Sequence, residues 1–411
     1  LVNDTTKIIN SQLSFHKKNW TVMKKSLLLS GIFASMLFAV ACENKFDYYY
    51  YTPEEYSVIS ESLNLPELPP KYAAELPSHL RNAGLSSPLI NSDEATLGRV
   101  LFYDKKLSSD GTISCASCHK QEIGFSDDRA VSVGVESREG TRNSIALSSV
   151  ANFAAYYGTD LNGSAGIPFF WDNRAGTASA QNIGSMNNPL EMNMQSHEIT
   201  AAVKGQPYYA PLFNKAFGST EITTEKVSAA IASFVNAMGS YQSRFDAGAN
   251  ASTSQFGGAN YNSNFSSFSA AENRGKELYM TNCASCHSTS FGRPVKLLSN
   301  NGLDAVVTDK GVGGISGVSS EVGTFKVPTL RNVAITAPFM HDGRFQTLEQ
   351  VIDHYSTGIQ LSPTLASELR NGNAPKKFNF TSGEKSDLIA FLGTLTDDVF
   401  KNDTRFASPF K

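Results

Sequence analysis

The sequence predicts an all-α chain of two similarly designed domains with long connecting loops, and three observations lead there. The pentapeptide Cys-Ala-Ser-Cys-His occurs twice, at Cys115–His119 and at Cys283–His287. Apolar residues recur at helical spacing in several stretches, whereas alternating strand patterns are few. With 411 residues, 41% of them hydrophobic, the chain can bury two ordinary cores.

From the beginning of the chain, Met23-Lys-Lys followed by the uncharged run from Ser26 to Ala41 reads as a signal peptide, so residues 1–22 precede the expected start. The run falls short of the ~20 apolar residues a spanning helix needs. Ala39-Val-Ala-Cys42 resembles a lipoprotein cleavage box, with Ala where Leu is usual three positions before the cysteine. Acylation of Cys42 would anchor the chain to a membrane at about 0.8 kcal/mol per buried CH₂, with residues 42–71 as the tether; secretion with a free Cys42 is the alternative. Residues 1–41 carry five lysines against Asp4, so the net charge of −3 leaves −7 on the rest. That acidic body does not suit nucleic acid.

The remaining four cysteines all belong to the two pentapeptides. Two thiols three positions apart reach both vinyl groups of one haem, and the adjacent histidine falls under the iron. A redox disulfide would not call for His after both copies, and a shared zinc cluster would not place them 168 residues apart. The expected cofactors are therefore two c-type haems, one per cytochrome c-like domain, held by Cys115, Cys118, His119 and by Cys283, Cys286, His287.

The first domain is expected over 72–247, a linker rich in Ser, Asn, Gly and Ala over 248–267, and the second domain over 268–411, with its last helix packing on the first domain. Gly98-Arg-Val-Leu101-Phe102 before the first motif and Gly275-Lys-Glu-Leu278-Tyr279 before the second form a weak repeat. Val227, Ile231, Phe234, Val235, Met238, Tyr241 and Phe245 predict one amphipathic helix over 225–245. Ser269-Ala-Ala-Glu272, Thr347-Leu-Glu-Gln350 and Thr381-Ser-Gly-Glu384 are capping boxes that open further helices.

What lies opposite each proximal histidine decides whether an iron binds substrate or relays electrons. The candidates are His16, His79, His197, His341, His354, the methionines and the tyrosines. On the helix after Thr347, Leu348, Val351, Ile352 and Tyr355 share a face from which His354 is turned away. An inward tyrosine packs as readily as it ligates, so the residues alone leave both readings open.

With these elements in place, the chain resembles the bacterial dihaem cytochrome c peroxidase family, including its tryptophan-tryptophylquinone maturation branch, from about Leu97 to Phe391. The resemblance rests on Leu97-Gly-Arg-Val-Leu-Phe-Tyr-Asp, both haem motifs, Gly140-Thr-Arg-Asn143, Phe170-Trp171-Asp-Asn-Arg174, Pro189-Leu-Glu191-Met, Val327-Pro-Thr-Leu-Arg-Asn-Val and Ala337-Pro-Phe-Met-His-Asp-Gly343. It implies that Trp171 lies between the haems, that Gln181 and Glu191 line the distal pocket of the first, and that Glu191 is its acid/base. It also implies a calcium ion between the domains, held by Asn143 and the carbonyls of Thr336 and Pro338, an oxygen shell that suits calcium. Without the resemblance, these residues would read as a packed Trp and a solvated Gln and Glu.

The chain departs from the reductively activated peroxidases in two places. The position of their first-haem histidine ligand is Val135, and that of their second-haem methionine is Tyr355, as in the maturation branch. The resemblance thus implies a first haem open to hydrogen peroxide and a second of low potential held by His287 and Tyr355. A small cytochrome c or cupredoxin would supply electrons, which makes the chain a peroxidase. Alternatively, a partner protein's side chains would supply them and be modified. A dihaem carrier without catalysis is the third reading. The expected location is the periplasm or cell envelope, and the reading leaves room for a homodimer.

Overall fold

The computed structural model describes residues 50–73, 75–87, 89–148, 150, 168–254 and 257–411; the expected signal peptide, His16 and Cys42 lie outside them. Residues 53–411 form one compact unit. Within the stretch expected as a tether, Pro53–Ser62 is a helix, opened by Pro and by Glu54 and Glu55 in its first turn, with Ile59 buried.

Helices dominate. Those that build the site are α1 (Ser92–Tyr103), α2 (Ala178–Asn187), α3 (Thr224–Asn236), α4 (Arg244–Ala251), α5 (Ala270–Asn282), α6 (Leu348–Asp353) and α7 (Ser382–Gly393). Among the described residues, named strands occur only as the antiparallel pairs Leu298–Ser299 with Phe325–Lys326 and Arg370–Asn371 with Ala374–Pro375.

The three capping boxes form as the sequence indicates, at Ser269, Thr347 and Thr381. The helix expected over 225–245 does not run through: α3 stops at Asn236 and α4 begins at Arg244. Tertiary bonds take over the backbone of the intervening segment. Arg331 Nη1 donates to the Ser240 carbonyl at 2.8 Å, the Gln242 amide donates to Asp397 Oδ2 at 2.8 Å, and Ser243 caps α4. The apolar stripe stays internal through the break, because Met238, Tyr241 and Phe245 are buried.

Two helix crossings organise the molecule, and they are copies of one contact. In the first, α1 packs on α3, and a methyl added at Gly98 would stand 1.9 Å from the Ala230 carbonyl oxygen and 2.9 Å from Phe234 Cβ. In the second, α5 packs on α7, and a methyl at Gly275 would stand 1.9 Å from the Asp387 carbonyl oxygen and 2.9 Å from Phe391 Cβ. Each crossing brings backbone against backbone, which only glycine permits. Each delivers the chain from the end of α1 or α5 to a Cys-Ala-Ser-Cys-His segment.

The two halves are tied together at several points. The buried guanidinium of Arg331 makes paired 2.8 Å bonds to both oxygens of the buried Asp246 carboxylate, the geometry that offsets desolvation of both charges. The C-terminal segment returns to the first half: Arg99 Nε donates to the Ala407 carbonyl at 2.6 Å, and Phe400 and Phe406 pack on Phe125.

Candidate functional site

Each pentapeptide opens onto its own cavity. The first, of about 270 Å³, is lined by Cys115, Cys118 and His119 together with Phe102, Ile113, Ile231 and Val235. His119 Nδ1 lies 2.9 Å from the Phe125 carbonyl. A carbonyl only accepts, so Nδ1 carries the proton and Nε2 keeps its lone pair. Burial lowers the pKa of His119, so the ring stays neutral, as a metal ligand must be.

Gln181, on α2, and Glu191, on the turn that follows α2, line the same cavity, as do Met186 and Met192. Asn188 Nδ2 donates to Glu191 Oε1 at 2.6 Å. Ser185, one turn after Gln181, accepts from Gln181 Nε2 at 3.0 Å and stands close enough to the Glu191 carboxylate to favour its ionised form. Burial raises the pKa of Glu191, against the opposing pull of Ser185, Asn188 and the charge of Arg174. Gln181, Ser185 and Glu191 thus form a polar row on one wall of the cavity, which Arg142, Asn143 and Arg174 also line.

Val135 is fully buried, and its amide donates to the Glu191 carbonyl at 2.9 Å. At the adjacent Gly134, a methyl would stand 2.1 Å from the Leu190 carbonyl oxygen and 2.8 Å from Glu191 Cα. The loop at Val135 therefore fixes the backbone that presents Glu191.

The second cavity, of about 250 Å³, is lined by Cys283, Cys286 and His287, with Val327, Leu330 and Leu392 among its apolar walls. His287 Nδ1 lies 3.2 Å from the Pro328 carbonyl, so this ring too keeps its lone pair on Nε2, and burial lowers its pKa to about 4. Leu348, Val351, Ile352 and Tyr355 all face this space. Tyr355 lies on a single π-helical turn, His354–Gly358, that continues α6; such widened turns gather at functional sites.

The Tyr355 hydroxyl lies 3.5 Å from Asn301 Nδ2, which is itself 3.4 Å from Met340 Sδ. Burial pushes the Tyr355 phenol up to about 12. Two side chains able to ligate iron, Tyr355 and Met340, thus stand side by side, joined by one amide.

Trp171 and Asn143 line both cavities. Trp171 Nε1 donates to the Asn143 carbonyl at 2.8 Å, and the Asn143 amide donates to the His341 carbonyl at 2.8 Å. Lys326 also lines both cavities; its Nζ donates to the Pro168 carbonyl, and burial brings its pKa down to about 7. Asn143, Thr336 and Pro338 all line the second cavity. Asn143 Nδ2 donates to the carbonyls of Arg129 and Ala130, which leaves its amide oxygen for another partner.

The other described histidines are accounted for by their surroundings. His354 is buried but bonds the Asn301 carbonyl at 3.0 Å through Nε2 and does not line the cavity. His341 stacks on Phe325, with ring centres 3.8 Å apart. His197 is exposed on the helix Ser196–Lys204, and His79 is buried between Tyr261 and Asp246. Sequence reasoning missed Ser185, Asn188, Asn301 and Lys326. Ser185 and Asn188 were legible in principle, since they lie one turn after Gln181 and three residues before Glu191; Asn301 enters only through the fold.

The cavities with their largely apolar walls, the thiols that line them and the unprotonated Nε2 of each histidine fit two covalently attached c-type haems. The di-haem cytochrome c peroxidase family model matches residues 92–254, and the cytochrome c model matches residues 272–396. The methylamine utilization protein MauG of Methylorubrum extorquens is 34% identical over 315 residues, 74% of this chain and 79% of that protein. The cytochrome c551 peroxidase of Nitrosomonas europaea is 31% identical over 336 residues, 78% of this chain and 88% of that protein. Among solved structures, a MauG-like protein associated with microbial copper homeostasis superposes with a TM-score of 0.64 at 28% identity, over 83% of this chain and 98% of that one.

Proposed function

This chain belongs to the di-haem cytochrome c peroxidase family, and on that premise we propose that it reduces hydrogen peroxide to water in the His119 cavity with electrons that enter through the His287 cavity. Cys115, Cys118 and His119 would hold one haem, and Cys283, Cys286 and His287 the other. Bound there, haem supplies the redox-active iron for cleaving the peroxide O–O bond. The observation that carries the reading is the placement of Glu191 and Gln181 together in the His119 cavity, with Val135 holding the Glu191 backbone.

Glu191 takes a proton from the inner peroxide oxygen at its carboxylate and returns it to the outer one, which leaves as water. Asn188 and Ser185 orient that carboxylate. Gln181, with Nε2 on Ser185, offers Oε1 to a peroxide O–H. Trp171 conducts charge between the cavities that it lines. Tyr355, which lines the His287 cavity, would help hold the second haem through its phenol oxygen, and a phenolate there would favour oxidised iron and a low potential. The electron donor is a small redox protein, a cytochrome c or a cupredoxin. Tyr355 in this cavity also favours a second reading, in which a partner protein's side chains supply the electrons and are modified.

Among the described residues, no group of three or more His, Cys, Asp or Glu is placed to hold a metal ion. The calcium ion that the family resemblance implies would rest on the amide oxygen of Asn143 and the carbonyls of Thr336 and Pro338, a shell of hard oxygen donors. No helix among the described residues is long and apolar enough to cross a membrane. The reading places the protein in the periplasm or cell envelope, held by an acylated Cys42, with residues 72–247 and 268–411 as its two haem domains and room for a homodimer.

Low-temperature EPR of the fully ferric protein tests the reading. One high-spin and one low-spin signal are expected. Two low-spin signals would mean that a side chain such as Met186 or Met192 closes the first iron and that peroxide cannot bind the resting protein.

A further inference from the structure

We propose that Tyr261 is a redox-active tyrosine that stores one oxidising equivalent, because its phenol is hydrogen-bonded to a buried histidine and its ring heads an aromatic ladder into the His287 cavity. The proposal rests on the peroxidase reading, which supplies the oxidising equivalents.

The Tyr261 hydroxyl lies 3.0 Å from His79 Nδ1, and His79 Nε2 lies 2.9 Å from Asp246 Oδ1. Arg331 holds the Asp246 carboxylate ionised, well below the usual range. An ionised carboxylate only accepts, so the His79 proton is on Nε2 and Nδ1 is a lone-pair acceptor aimed at the phenol. Burial lowers the pKa of His79, so the ring is neutral before it is called on. The triad therefore reads phenol O–H to imidazole, and imidazole N–H to carboxylate. It is a hydrogen-bonded route in which a proton can leave tyrosine without entering solvent.

The ladder runs from the stacked pair Tyr261–Phe245, with ring centres 6.2 Å apart, to Phe291 at 4.8 Å and on to Tyr279 at 4.9 Å. Tyr279 lines the His287 cavity. Tyr279 lies nearer to that cavity but donates to the Ser288 carbonyl at 2.7 Å, and a carbonyl cannot take up a phenol proton. Tyr72 and Tyr103 likewise donate to carbonyls, while Tyr208 and Tyr209 point at Asp104, a carboxylate and so a much weaker base than imidazole. The Tyr261 phenol, by contrast, meets an imidazole, and its ring connects to a haem cavity.

Reduction of one peroxide takes two electrons. When no external donor has delivered, Tyr261 gives one. Its O–H bond breaks, the proton forms an N–H bond at His79 Nδ1, and the electron passes along Phe245, Phe291 and Tyr279 to the His287 cavity, leaving a neutral phenoxyl radical. A later electron from the redox donor reduces the radical, and the proton returns from His79. Tyr261 is half-buried, so the stored equivalent sits near the surface where a reductant can reach it.

The test is freeze-quench EPR of the diferric holoprotein mixed with one equivalent of hydrogen peroxide, with the haem absorption recorded on the same sample. A narrow radical signal that changes on ring-deuteration of tyrosine is expected in the wild type. It should be lost in Tyr261→Phe, which removes one oxygen and keeps the stack. His79→Gln keeps a polar group but removes the base, and should slow radical formation at least tenfold. If the haem absorption responds to peroxide and the same radical persists in Tyr261→Phe, this proposal is overturned while the peroxidase reading stands. If the haem absorption does not respond, the peroxidase reading fails and the proposal falls with it.

Discussion

The two cavities share a scaffold and differ in what they place opposite the histidine. Gly98 and Gly275 make the same backbone contact, and both histidines give Nδ1 to a carbonyl of their own half. The shared parts are those that hold a flat cofactor and keep Nε2 available. Beyond them, the first cavity has a carboxylate and an amide held in a polar chain, and the second has a phenol beside a thioether. The difference thus lies in a handful of residues, on α2 and the turn after it in the first cavity, and on the turn after α6 and the loop of Met340 before it in the second.

The sharpest way to break this comparison is Glu191→Gln, which keeps shape and hydrogen bonding but cannot move a proton. Peroxide turnover should fall by about 10²–10⁴-fold, the usual range for a general acid or base, with both haems still attached. Turnover at the wild-type rate would remove Glu191 from the chemistry.

Next in size is Tyr355→Phe, which should convert the low-spin EPR signal to high-spin and leave the first haem's signal untouched. Met340→Leu should change neither. The reverse pattern would transfer the ligand role to Met340, the neighbour that Asn301 links to Tyr355.

The scaffold itself is probed by Gly98→Ala and Gly275→Ala. Each methyl would meet a carbonyl oxygen at 1.9 Å, and overpacking of this kind costs about 1–3 kcal/mol. Both variants should melt at lower temperature by similar amounts. A loss confined to one would show that only one crossing is tight in solution.

The smallest expected effect is that of Ser185→Ala, read from the pH profile. Glu191 accepts a proton only when ionised, and burial raises its pKa, so the acid limb of kcat/KM should lie above the ordinary carboxylate value of about 4.3. Activity then rises as pH increases through that limb. The Ser185 hydroxyl favours the ionised form, so its removal should move the limb to higher pH and leave activity well above the limb little changed. An unmoved limb would mean that Ser185 does not reach the carboxylate.

The helix ends and the haem motifs were legible because their signals are local. Ser269, Thr347 and Thr381 satisfy free backbone N–H groups three residues away, and that bond forms regardless of the rest of the fold. The inward face of α6 was legible for the same reason, since helical spacing alone puts Leu348, Val351, Ile352 and Tyr355 together. The break between α3 and α4 was not legible. The apolar period continues across it, and the chain turns because Arg331 and Asp397, distant in sequence, bind its backbone.

By itself, then, the sequence determined that the chain carries two c-type haem motifs and which helices lead to them, and its resemblance to the family implied that Val135 replaces a histidine ligand. Only the tertiary structure decided that Glu191 is held by Asn188 and the Val135 amide, that Met340 stands beside Tyr355, and that Lys326 faces both cavities. The physical reason is range. Capping, periodicity and thioether spacing act within a few residues, whereas the environment of a buried carboxyl, phenol or ammonium is set by groups that only folding brings within hydrogen-bonding distance.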